Sequence, residues 1–148
     1  MHVYPPDGAT FLSPHFRRRE FICPCCGLLD LDATLLCGLE LLRVLIGSPI
    51  NASSGYRCEK HNLRVGGYVR SRHLAGQAVD AIIVGVPRIR VVEAAESIYY
   101  FSHGGIGVYP DSPHVHLDVR GQRARWGYLD GNTITYDEAM QMLRDEAA

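Results

Sequence analysis

His73 and Asp80 stand seven positions apart in Ser71-Arg72-His73-Leu74-Ala75-Gly76-Gln77-Ala78-Val79-Asp80, separated by small residues and one glycine. An imidazole and a carboxylate so spaced can be turned toward one point. A third side chain of the right kind follows 36 residues after Asp80, as His116 in Ser112-Pro113-His114-Val115-His116-Leu117-Asp118-Val119. Two ring nitrogens and one carboxylate oxygen form a set that zinc binds tetrahedrally, leaving the fourth position to water, as catalytic zinc sites do. Zinc brings the pKa of such a water toward ~7 and polarises a carbonyl, so the chemistry expected here is hydrolysis. Manganese or iron suits the same donors. His73, Asp80 and His116 are the expected metal ligands. Any one of them alone would read as an ordinary polar surface residue.

Other groups could assist. The segment from His114 to Val119 alternates, so His114, His116 and Asp118 share one strand face while Val115, Leu117 and Val119 share the other. His114 has the unperturbed pKa near ~6.5 that suits proton transfer, and a neighbouring zinc would depress it. Asp111 lies in the preceding Pro-Asp-Ser turn, where local hydrogen bonding also explains it. His114 is the first choice for the catalytic base and Asp111 the second. Asp118 is expected behind the ligands, orienting an imidazole. Arg57 follows a glycine in Ser54-Gly55-Tyr56-Arg57, where its planar fork could take a carboxylate or a developing oxyanion, or else a salt bridge that fixes the turn.

Taken together, Ser54-Gly55-Tyr56-Arg57, Ser71-x-His73-x-x-Gly76-x-Ala78-x-Asp80 and His114-x-His116-x-Asp118 resemble the zinc D-Ala-D-Ala peptidases. That family sits in a wider group with lysostaphin-type peptidases and the hedgehog signalling domain. Phe11 to Gly27 and Arg123 to Gly127 also look like small phage-type and bacterial members. The resemblance implies a zinc peptidase acting on peptidoglycan peptides, with Arg57 holding substrate and Ser71 orienting the ligands. It implies cleavage of a peptide bond that contains a D-amino acid, by a carboxypeptidase or an endopeptidase. This chain departs from the family at one point. Many relatives carry Glu or Asp three positions before the last ligand, where this chain has Pro113; His114 occupies a position used in parts of the wider group. The rival expectation is a non-catalytic zinc-binding module of the same fold, serving in wall attachment or virion assembly.

Length and composition agree with a small enzyme. A chain of 148 residues accommodates one domain and a core without disulfide staples. A formal net charge of −1 argues against nucleic acid or an anionic membrane as partner. The apolar run Leu35 to Ile46 is too short and too polar to span a bilayer. Met1 to Pro14 lacks the pattern of a secretory leader, so the expectation is a monomer made in the cytoplasm that acts on the cell wall or periplasm, through holin-dependent release if phage-encoded. Cys23-Pro24-Cys25-Cys26-Gly27 could be half of a structural zinc site, yet no second closely spaced Cys or His pair is evident. The five cysteines are therefore expected as reduced thiols, most of them buried, and the cluster as a turn.

The elements that must position these groups read as α+β: helices packed on a small antiparallel sheet, with an irregular arm over residues 1–13. A short helix is expected at Phe16 to Phe21. A longer one follows Asp30-Leu31-Asp32, with Leu35, Leu36, Leu39, Leu42 and Leu45 inward. Pro49 to Ser53 reads as a strand, Cys58 to Arg64 as a short helix, Ala78 to Val84 as a strand. Pro87 starts an amphipathic helix with Ile89, Val92, Ala95, Ile98 and Tyr99 on one side. Ile106 to Tyr109 and His114 to Val119 read as strands, Asp130-Gly131-Asn132 as a turn, and a helix begins near Tyr136. His15, His61 and His103 are expected in surface or packing roles, Trp126 in the core or a cleft wall, and Tyr56 and Tyr109 in the core or a peptide groove.

Overall fold

The computed structural model describes residues 10–148. Positions 1–9 of the expected arm lie outside the described residues, while Phe11–Ser13 forms strand β1, antiparallel to β2 (Phe16–Arg17). The helix expected from Phe16 to Phe21 is only a 3-10 turn, Arg18–Glu20, because the Glu20 carboxylate accepts the Arg17 N–H and closes it at once. Phe16 and Phe21 are nevertheless buried, edge to face with ring centroids 5.9 Å apart.

Helix α1 (Ala33–Ile46) starts where Asp32 accepts the Thr34 N–H at 2.9 Å and ends at Gly47, whose φ of 71° breaks it. Leu35, Leu36, Leu39 and Leu42 are buried, but Leu45 is 59% exposed. At 3.6 residues per turn Leu45 has drifted about 80° around the axis from Leu35, off the inward stripe. Strand β3 (Asn51–Ser54) and helix α2 (Glu59–Arg64) follow, then a 3-10 turn at Arg72–Ala75 and strand β4 (Ala78–Ile82). Helix α3 (Arg88–Glu96) stops before Ile98, whose extended backbone separates it from α4 (Tyr99–Ser102). That break reverses one expectation. Tyr99 is 69% exposed and Phe101 is fully buried instead, its ring set against Gly38 of α1, where an added Cβ would come within 2.8 Å.

Strands β5 (Gly105–Val108), β6 (Val115–Asp118), β7 (Ala124–Leu129) and β8 (Asn132–Ile134) complete the main sheet, and helix α5 (Tyr136–Ala147) ends the chain under a Thr135–Glu138 capping box. The strand order is β3-β4-β6-β5-β7-β8. All pairs are antiparallel except β5 with β7. The parallel pair arises because the chain reverses after β6 and returns on the far side of β5. Val79, Ala81, Ile106, Val108, Val115 and Leu117 join the helices in one core, each larger side chain contributing about 1.5–3 kcal/mol by burial. The sheet's other face is left for polar side chains.

Gly76 shows how tightly this scaffold is drawn. Its φ is 66°, and a Cβ there would overlap the Asp30 carbonyl, which lies just before α1. Asp32 N–H also donates to Gly76 O at 2.9 Å. Gly76→Ala is expected to destabilise the fold by about 2 kcal/mol or more, from strain at a left-handed residue plus displaced backbone. Chemical denaturation of the two proteins measures it.

Candidate metal centre

Asp80 of β4, His116 of β6, Gly107 of β5 and Trp126 of β7 form one row across four neighbouring strands. His73 enters from outside the sheet, carried by the 3-10 turn that Gly76 closes. Ser71 caps that turn, its hydroxyl accepting the His73 N–H at 3.3 Å, so it acts on His73 through the backbone. The result is a convergence: Asp80 Oδ1 lies 3.4 Å from His73 Nε2 and 3.4 Å from His116 Nδ1. The three donor atoms lie within 4.8 Å of one another, a span that one metal ion can bridge.

Each imidazole has its far nitrogen engaged. His73 Nδ1 donates to the Gly55 carbonyl at 2.7 Å, and His116 Nε2 donates to Asp118 Oδ2 at 2.8 Å. Those bonds hold the protons on the far sides and turn a lone pair of each ring inward, as metal-bound histidines require. The donor set therefore fits a divalent cation. Without a metal, burial would raise the Asp80 carboxyl, but His116 and His73, when protonated on the nitrogens that face it, outweigh this and hold it well below the usual carboxylate range. Burial pushes His73 down. Burial pushes His116 down as well, but Asp118 and Asp80 more than reverse this, so a metal at Nδ1 would compete with a proton.

Around the triad, Arg57 reaches Asp80 Oδ2 at 3.2 Å, with Nε on the Ser54 hydroxyl at 3.1 Å and Nη1 on Asn62 Oδ1 at 3.4 Å. The guanidinium thus holds the carboxylate oxygen that faces away from the histidines. His114 Nε2 lies 3.9 Å from Asp80 Oδ1, on the same side as the triad, while its Nδ1 bonds Ser112 Oγ at 2.6 Å. Burial lowers His114 as well. Asp118 is fully buried and takes both Arg120 Nε at 2.9 Å and Nη2 at 2.6 Å, besides the Gly105 N–H at 2.8 Å. Asp111 stands apart from this group: its Oδ2 accepts the Asp130 N–H at 3.1 Å, tying the turn before His114 to the β7–β8 turn.

Asn62 and Arg120 were not singled out in the sequence, whereas Trp126 was expected in the core or a cleft wall and Tyr109 in the core or a peptide groove. Asn62 is buried between Arg57 and the Tyr68 carbonyl, and Arg120 neutralises Asp118. Trp126 packs on His116 with ring centroids 4.9 Å apart and donates its Nε1 to the Tyr109 hydroxyl at 2.8 Å; Tyr109 in turn lies 4.7 Å from the His114 ring. The legible signal was Gly105-x-Gly107. Both glycines share the face of His116 and Asp118, and a Cβ would strike the Asp118 carboxylate at Gly105 and the Trp126 ring at Gly107.

The sequence model of the peptidase M15 family matches residues 14–118, a span that contains the triad, Arg57 and His114. The chain belongs to the peptidase M15 family. Similar proteins include the peptidoglycan L,D-endopeptidase MepK of Escherichia coli, 36% identical over 104 residues, which cover 66% of this chain and 55% of that protein. The probable peptidoglycan L,D-endopeptidase MepK of Haemophilus influenzae is 46% identical over 49 residues, covering 33% of this chain and 25% of its own. The chain thus spans about half the length, or less, of the curated relatives it matches. Among the described residues no helix is long and apolar enough to cross a membrane.

The cysteines depart from expectation. Only Cys23 is buried; Cys25 and Cys58 are half-buried, Cys26 and Cys37 exposed. Nor is the Cys23–Gly27 turn isolated, because Cys58, at the start of α2, meets it with its Sγ 3.6 Å from that of Cys23. The partner was missed because it is supplied by a segment 35 residues away.

Asp118→Asn tests the groups behind the candidate metal ligands. The amide keeps the shape but weakens the hold on His116 Nε2–H and removes the charge opposite Arg120. Metal affinity at the triad is expected to fall about 10–100-fold, read by competition with a chromophoric chelator.

Proposed function

We propose that this chain is a zinc-dependent peptidase that cuts an internal bond between L- and D-configured residues in peptidoglycan peptides. The observation that carries it is the convergence of His73 Nε2, Asp80 Oδ1 and His116 Nδ1 with both ring tautomers fixed from behind. The M15 membership supports peptidase chemistry, and the similarity to proteins described as peptidoglycan L,D-endopeptidases supports the substrate and the bond. Zinc, when bound, supplies Lewis acidity that acidifies water and polarises a carbonyl.

The chain's own residues do the rest. Arg57 secures Asp80 through Oδ2, which leaves Oδ1 facing the histidines, and its further N–H groups hold a substrate carboxylate or a developing oxyanion. His114 carries a proton at Nε2, the nitrogen facing the triad, while Ser112 and the Tyr109 ring keep its plane in place. Asp111, bonded at Asp130, is left a supporting part in the turn that presents His114.

The experiment is incubation of the purified protein with muropeptides, with and without chelator, and identification of the products by mass spectrometry. A stem fragment cut at an L,D bond is expected, lost with chelator and restored by zinc. No product from any muropeptide, with zinc bound at the triad, would leave a metal-binding module and make Pro113 the reason.

A further inference from the structure

The geometry points to a second metal site, in which the thiolates of Cys23, Cys26 and Cys58 bind one zinc ion in a structural role. Their sulfur atoms all lie within 4.8 Å of one another. The Cys23–Cys58 separation of 3.6 Å is close to the sulfur spacing of about 3.8 Å that tetrahedral zinc imposes with bonds of ~2.3 Å, and far from the ~2.05 Å of a disulfide.

The backbone around these sulfurs is built to receive thiolates. Cys23 and Cys26 flank a tight turn: the Gly27 N–H donates to Cys23 O at 2.8 Å, the Cys23 N–H to Leu28 O at 2.9 Å, and Gly27 takes a φ of 70°. The Cys58 N–H donates to Cys23 Sγ at 3.5 Å, and the His61 N–H donates to Cys58 Sγ at 3.4 Å. Amide donors aimed at sulfur stabilise its anionic form and orient it, as the outer partners of metal ligands do. Zinc takes thiolates in preference to oxygen donors among the common structural choices, and a Cys-x-x-Cys pair is its usual half-site. The other half is Cys58, and the half-buried His61, three residues on, would have to turn its ring toward the three sulfurs to complete four ligands.

Such an ion would have a clear structural consequence. The Cys23–Gly27 turn begins two residues after Phe21, whose carbonyl accepts the Tyr56 N–H at 2.8 Å, and Cys58 directly follows Arg57, whose N–H donates to His73 O at 3.1 Å. A zinc ion there pins the N-terminal segment to the stretch that supplies the Gly55 carbonyl and Arg57 to the M15 site. The loop it closes spans 35 residues, so its removal frees substantial chain entropy.

The test is metal content and cobalt spectroscopy on the full chain. Protein made with zinc is expected to carry about two equivalents, and protein with His73→Ala and His116→Ala about one. Cobalt loaded into that double variant should give a thiolate-to-metal charge-transfer band, because only imidazole donors have been removed. Cys26→Ser with Cys58→Ser should lose the band and one equivalent of zinc. The proposal is overturned if the native protein holds about one zinc and shows no charge-transfer band with cobalt. It is equally overturned if intact mass shows Cys23 and Cys58 joined as a disulfide in freshly purified protein, a measurement that needs no variant to fold.

Discussion

His116→Ala is expected to cost the M15 site its metal and at least about 10³-fold in kcat/KM, the equivalent of some 4 kcal/mol of transition-state stabilisation. His116 sits in the middle of the ligand row, in contact with Asp80, Asp118 and Trp126 at once, so no neighbouring side chain can take its place. Its loss also leaves Asp118 with Arg120 as its remaining ionic partner, an intact pair that keeps the buried carboxylate compensated. The fold is therefore expected to survive. Metal analysis should show one equivalent fewer than in the native protein, and muropeptide turnover should fall to background. Activity that persisted with the triad empty of metal would dismiss the zinc mechanism.

His114→Ala should separate proton transfer from metal binding. His114 is not one of the three converging donors, yet its Nε2 faces the same carboxylate at 3.9 Å. Metal content is expected to stay unchanged while kcat falls about 10²–10⁴-fold, the usual range for removing a general acid or base. The chain neighbour of His114, Pro113, offers no proton carrier at the position where the resemblance led to the expectation of an acid. Full activity in the variant would assign the proton to another group. Asp111 is then the first to examine, although its bond to the Asp130 N–H would have to break.

Much of the site was legible because a β-strand alternates side chains with a period of two. The run from His114 to Val119 could place His114, His116 and Asp118 on one face only if Val115 and Leu117 were core, and both are fully buried or nearly so. The spacing of His73 and Asp80 around Gly76 was legible for a similar local reason: a left-handed glycine reverses the chain between them. One cap was legible too. Asp32 stands where an oxygen must meet the first free N–H groups of a helix, while the Thr135 cap of α5 was found only in the structure.

Other features had no local signature. Tyr99 and Phe101 exchange places because Ile98 is extended, a choice made by packing against Gly38 and not by periodicity. Arg57 could have held substrate or an acid, and the fold sets it on Asp80, from a strand 23 positions later. The cysteine turn looked solitary because its partner comes from a different segment.

What the sequence determined by itself is the types and order of the converging His73, Asp80 and His116, the α+β class and most faces of the helices and strands, since each follows from residue chemistry and from spacings of a few positions. The tertiary structure alone decided which distant groups meet: Gly55 O with His73, Trp126 with His116, Cys58 with Cys23. Those contacts depend on strand order and register, which are set by the summed burial of the whole core and are encoded in no single stretch of it.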